Sequence, residues 1–182
     1  MKKLLILAYD YPPYVSVGGL RPFSWYKYFH QFDVQPIVIT RQWENRFGNN
    51  LDYISPGYSD TTDVEKSSNG MIIKTPFTPN LGNRILLKYG ENRFRLIRKF
   101  ISSFYEFLQY IFFIGNKKEI YFAADELLEN EKVDCIIATG DPFVLFKYAS
   151  KLSRKYSVPW IADYRDAWIQ DKTTKSRIYR LW

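Results

Sequence analysis

MKKLLILAYDYPPYVSVGGL, residues 1–20, decides the fold. Leu4–Tyr9 is a continuous apolar run, as a strand buried on both faces requires. It breaks at Asp10-Tyr11-Pro12-Pro13, where two prolines oppose both a central strand and a helix. A reach follows to Gly18-Gly19, and Arg21-Pro22 opens an aromatic helix, with Pro22 suited to a first helical turn. Strand, long loop, paired glycines and helix start form a layout for holding an anion: the glycines let backbone approach, and the first amides of the helix point at the ligand. A lone Gly-Gly is also what a plain surface turn contains. The loop is too long for the Gly-x-Gly-x-x-Gly dinucleotide fingerprint.

Downstream, strands alternate with helices. The first helix spans Pro22–Phe32, and Phe23, Tyr26, Phe29 and Phe32 recur on one face as a core stripe. Pro36–Thr40 is the second strand. Arg41–Asn69 is polar and reads as an irregular excursion. Gly70–Thr75 is the third strand, closed by Pro76 and Pro79. Asn83–Gly115 reads as one or two helices. Basic residues fill its first half (Arg84, Lys88, Arg93, Arg95, Arg98, Lys99), and Phe100, Ile101, Phe104, Phe107, Leu108, Ile111, Phe112 and Phe113 its second. The simpler reading is a core-facing stripe with a solvated basic face. The other is a helix lying on an anionic bilayer. Lys118–Glu131 is a helix and Val133–Thr139 the fourth strand. Asp141-Pro142 reads as N-cap and first position of a helix to Tyr156. Val158–Ala162 is the fifth strand, and the tail from Thr173 looks helical.

A chain of 182 residues suits one domain with a real core. A net charge of +7 points to anionic partners: phosphates, nucleic acid or an acidic membrane surface. No RNA- or DNA-binding motif is present, which sets nucleic acid aside. The single cysteine, Cys135, sits in an apolar run as a small core residue, and one thiol forms no intrachain disulfide. This fits a reducing, cytoplasmic compartment. The N-terminal apolar stretch is too short for a signal peptide, and no stretch has the length of a membrane span. No His/Cys/Asp/Glu cluster has metal-ligand spacing.

Alternating strands and helices predict an α/β fold: a Rossmann-like, doubly wound parallel sheet with helices on both faces. In the order 3-2-1-4-5 the winding reverses between strands one and four, and ligands bind there, beyond the carboxyl ends of the strands. Three polar segments meet at that place: the Asp10–Gly19 loop, Gly140-Asp141, and Asp163–Trp168. Asp141 is also explained as a helix cap. Arg165 between Asp163 and Asp166 also fits a structural ion pair.

These residues resemble the N-terminal half of GT-B fold glycosyltransferases of the retaining family 4 type. The resemblance rests on Asp10-Tyr11-Pro12-Pro13, Val17-Gly18-Gly19 with Arg21, Val38-Ile39-Thr40, Asp134–Gly140 with Pro142, and above all Pro159-Trp160-Ile161-Ala162-Asp163-Tyr164-Arg165-Asp166-Ala167-Trp168. Ala167 stands where relatives carry proline, and Arg41–Gly115 matches loosely. The resemblance implies that residues 1–182 are an acceptor-side domain. The nucleotide-sugar-binding domain, with its Glu-x7-Glu motif, would lie outside this chain, and the chain alone would be inactive. It implies hexosyl transfer from a nucleotide diphosphate sugar to a glycan or lipid-linked acceptor in cell-envelope or polysaccharide synthesis, without metal or other cofactor. Gly18 and Gly19 would meet the donor diphosphate, assisted by Arg21. Asp141, Asp163 and Asp166 would line the acceptor side, with Asp141 and Asp166 the catalytic candidates and Arg165 a substrate-binding one. The expected place is cytoplasmic, peripheral on the inner membrane face through residues 84–115. The competing expectation is a non-catalytic anion- or membrane-binding module on the same scaffold.

Overall fold

A computed structural model describes residues 1–44 and 51–164. Among these, six strands form one sheet: β1 (Lys2–Leu7), β2 (Val34–Arg41), β3 (Asp63–Ser67), β4 (Gly70–Thr75), β5 (Cys135–Thr139) and β6 (Trp160–Asp163), in the order β3-β4-β2-β1-β5-β6. All neighbours pair in parallel except β3 with β4. Five of the six strands reproduce the expected doubly wound order, with β1 beside β5 at the reversal. The sixth, β3, falls within the stretch read as irregular. Its sequence, Asp-Val-Glu-Lys-Ser, shows little apolar signal because it is an exposed antiparallel edge, where charged side chains discourage further pairing.

β1 starts at Lys2, earlier than expected. Its first residues pair with Val34 and Gln35 at the rim of the sheet, where lysines reach solvent. Lys3 donates its backbone N–H to Asp134 and its ammonium to Glu131, both at 2.7 Å. Further along, the strand is buried on both faces. Leu5, Leu7 and Tyr9 join Ile37, Ile39, Ile136 and Ala138 on one side. There α4 (Lys118–Asn130) contributes Ile120, Ala124 and Leu127, and α5 (Val144–Tyr156) contributes Val144, Leu145 and Leu152. Leu4, Ile6 and Ala8 face the other side with Val38, Ile72 and Ile137, covered by α1 (Val17–Tyr28). Cys135 packs against this second cluster but is only half-buried, and that burial raises its thiol above the usual range.

The aromatic stripe of the first helix divides. Tyr26 is buried and Phe29 half-buried, but the helix ends at Tyr28 and a 3-10 turn follows over Phe29–Phe32, so Phe32 swings into solvent. Phe23 meets the ring of Tyr11 edge-on. Two further helices, α2 (Leu81–Tyr89) and α3 (Arg95–Leu108), pack on each other and lie between β4 and α4 in the chain.

Because β1 is sealed on every side, Ile6→Ala is expected to cost about 2–5 kcal/mol in urea unfolding. Val64→Ala, on the exposed edge strand, is expected to cost under about 0.5 kcal/mol.

Candidate functional site

The chain leaves β1 through Ala8 and Tyr9, both buried, and turns at Asp10. Ser16 organises the loop beyond that turn. Its hydroxyl donates to Asp10 Oδ2 at 2.6 Å and accepts from the Gly19 N–H at 3.2 Å, so it caps α1 and closes the loop upon itself. The helix therefore begins at Val17, not at Pro22. Both glycines lie inside its first turn and are buried, and Pro22 falls where its missing N–H removes a ladder bond. The Gly19 amide already has a partner in Ser16. A Cβ on Gly19 would lie 3.3 Å from the Tyr11 Cα and N atoms, so the position needs glycine for close packing of helix on loop. Packing and the Ser16 cap thus account for glycine at this position without a ligand.

Beside this loop stands an aromatic wall that sequence reasoning missed. Tyr14 stacks on Trp43 with centroids 4.1 Å apart, and the Trp43 Nε1–H donates to the Tyr9 carbonyl at 3.0 Å. Behind it Arg41 is 2 % exposed. Its guanidinium donates to the carbonyls of Gln42 (2.9 Å), Tyr53 (2.9 Å) and Ser55 (2.7 Å) and to the Tyr9 hydroxyl (3.4 Å). It also lies 3.4 Å from the Phe77 ring centroid and 4.0 Å from that of Trp43. The available signal was Arg41-Gln42-Trp43 at the end of β2, an arginine where a buried strand ends.

On the far side of β1, the Gly140 N–H donates to the Asp163 carbonyl at 3.0 Å, joining the ends of β5 and β6. Arg21 of α1 reaches across to Asp163, with Nη1 2.5 Å from Oδ1. The other carboxylate oxygen of Asp163 is buried and meets no donor among the described residues. Asp141 is exposed and does not cap α5. That helix begins at Val144, with Phe143 in the cap position and no side-chain cap bond. Burial raises Tyr53 far above the usual phenol range, and the neighbouring Tyr9, Asp10 and Asp141 add to the rise. Gly18, Gly19, Arg21, Asp141 and Asp163 thus gather at the carboxyl end of the sheet. Arg165 and Asp166 lie outside the described residues.

Among the described residues, this edge of the sheet carries the cation of Arg21, the carboxylates of Asp10, Asp141 and Asp163, and an aromatic flank at the switch point. Such a set suits a hydroxylated ligand. No group of His, Cys, Asp and Glu able to hold a metal occurs among the described residues, and no described helix is long and apolar enough to cross a membrane.

No family model matches the chain, and neither does any curated protein. Solved structures that resemble it distantly include two of different kinds. The C-terminal domain of the PF1911 hydrogenase from Pyrococcus furiosus has 17 % identity over 89 % of each chain, with a TM-score of 0.40. Apo UGT2 of Phytolacca americana has 9 % identity over 97 % of this chain, with a TM-score of 0.44. This chain spans 34 % of that protein's length. The class is set by the topology itself: a mostly parallel, Rossmann-like α/β sheet.

Burial pushes the Tyr9 hydroxyl up to about 12, although Arg41 opposes the rise. Its folded-state value lies above its unfolded one. The stability this proton confers is therefore complete below pH 10 and is lost as pH climbs through about 12. Melting temperature is expected to fall over that interval, and Tyr9→Phe is expected to flatten the fall.

Proposed function

We propose that the chain is the acceptor-side domain of a retaining glycosyltransferase that moves a hexose from a nucleotide diphosphate sugar to an acceptor hydroxyl. The observation that carries this reading is the bridge from Arg21 to Asp163 across the reversal of the sheet. It joins two segments that are 142 residues apart, and both belong to the sequence stretches that resemble GT-B N-terminal halves. A second domain, bearing the nucleotide sugar, would close over this edge.

In that arrangement the start of α1, with Gly18, Gly19 and Arg21, faces the donor diphosphate. Positive charge held there stabilises the negative charge that grows on the leaving group. Asp141 is exposed at this edge and suits a hydroxyl of the acceptor, orienting it and drawing on its proton as the bond to the sugar forms. Asp163 holds Arg21 with one oxygen and keeps the other for the ligand. Arg165 and Asp166 extend the same set by sequence. The reaction in this form needs no metal or other cofactor. The scaffold would equally serve a module that binds an anion without chemistry, and turnover decides between the two.

The test is transfer of a radiolabelled sugar by the product of the full reading frame. Residues 1–182 alone are expected to give no turnover. In the full product, Asp141→Asn is expected to lower kcat by about 10²-fold or more. Arg21→Ala is expected to lower kcat/KM while costing under about 1 kcal/mol of stability, since its ion pair is half exposed. Turnover by the 182-residue chain would end the two-domain reading, and unchanged kinetics in both variants would remove these residues from the chemistry.

A further inference from the structure

α3 is amphipathic in sequence, yet no residue of it is buried. Leu96, Phe100, Phe104 and Phe107 are 82, 76, 55 and 60 % exposed. The expectation of a core-facing stripe fails for these four, while Phe113 beyond the helix does pack against the core. The side of α3 that is partly covered carries Arg98, Ile101, Ser102, Tyr105 and Leu108 instead. Gly82 of α2 sets the contact, because a Cβ there would come within 2.8 Å of Ser102 Oγ. Most of the apolar stripe is thus rotated away from the sheet.

This placement is held from both ends. Arg98 donates to the carbonyls of Arg93, at 3.1 Å, and Glu91, fastening the turn before the helix. Lys147 donates to the carbonyls of Gln109 (2.6 Å) and Phe112 (3.1 Å), and Lys117 pairs with Glu106 at 3.0 Å. Tyr110, Ile111 and Phe112 continue the exposed apolar surface past the helix. A groove of about 970 Å³ runs along it, lined by Leu81, Phe100, Ile101, Phe104, Phe113 and Ile114 among others. Soluble monomers rarely expose so continuous an apolar area without using it.

The rim identifies the occupant. Arg84 and Lys88 of α2, Arg93 before α3, and Arg95 and Lys99 of α3 are all exposed, while the groove itself also carries Asp60, Lys118 and Glu119. Between Arg84 and Phe107 six cationic side chains stand against two anionic ones. A second copy of the chain would bring the same cations to the contact, and like charges facing each other oppose pairing. Anionic lipid headgroups complement the rim, while Phe and Leu side chains suit the boundary between headgroups and acyl chains. We infer that α3 and the Tyr110–Phe112 turn dock on the surface of an anionic bilayer. Arg93, Arg95 and Lys99 meet lipid phosphates, and Leu96, Phe100, Phe104 and Phe107 enter the interface. This inference stands apart from the transferase reading, since it uses none of the residues at the carboxyl edge of the sheet.

Co-sedimentation of the chain with vesicles tests it. Binding to mixed phosphatidylglycerol–phosphatidylcholine vesicles is expected, with little to pure phosphatidylcholine and weakening at high salt. Arg93→Glu/Arg95→Glu/Lys99→Glu is expected to weaken binding more than about tenfold. Phe100→Ser/Phe104→Ser/Phe107→Ser is expected to abolish it with an unchanged circular dichroism spectrum. Phe104→Trp fluorescence is expected to be quenched by brominated lipid. Equal binding to both vesicle types, or binding unaffected by the phenylalanine changes, would overturn the proposal. So would a dimer that dissociates on the phenylalanine changes while the wild type ignores vesicles.

Discussion

The enclosure of β1 sets everything else in place. It lies between β2 and β5 with Leu4, Ile6 and Ala8 against one layer of side chains and Leu5 and Leu7 against the other. A strand paired on both edges and covered on both faces has no freedom of register, because a slip of one residue exchanges its two faces. The crossovers then have few solutions. α1 closes one face on the way to β2, and α4 and α5 close the other around β5. The winding reverses beside β1, and its carboxyl end becomes the edge where loops from both halves of the sheet converge.

At that edge the protein settles its polar groups in two ways. Arg41 is buried, so desolvation lowers its pKa below the usual guanidinium value. Backbone carbonyls and the Phe77 and Trp43 rings take the place of water around it. The result is a rigid corner that carries the Tyr14–Trp43 stack, and its role is architectural. The Arg21–Asp163 pair is the opposite case. It is half exposed, and its carboxylate keeps a buried oxygen without a donor among the described residues. The pair is open to solvent where Arg41 is closed off from it.

The carboxyl edge of the sheet and the α3 surface sit on different elements. α3 shows how far amphipathic spacing can mislead. Periodicity records that one side of a helix is apolar and leaves open what that side meets. Here Gly82 and Ser102 allow the two helices to meet along a small, polar contact, and Lys147 and Arg98 fasten the ends. The stripe is left outward.

The residues alone determined the strand order of the parallel core, because continuous apolar runs such as Leu4–Tyr9 and Cys135–Thr139 can lie nowhere but inside a covered sheet. They also placed Gly18, Gly19, Arg21, Asp141 and Asp163 at its carboxyl edge, since loop position follows from topology. They did not disclose β3, whose polar sequence carries no period, nor the start of α1, where the Ser16 cap outweighs the preference of Pro22 for a first turn. Nor could they orient α3 or reveal the Arg41 corner. Those depend on contacts between segments distant along the chain, and side-chain spacing within one segment carries no information about its neighbour in space.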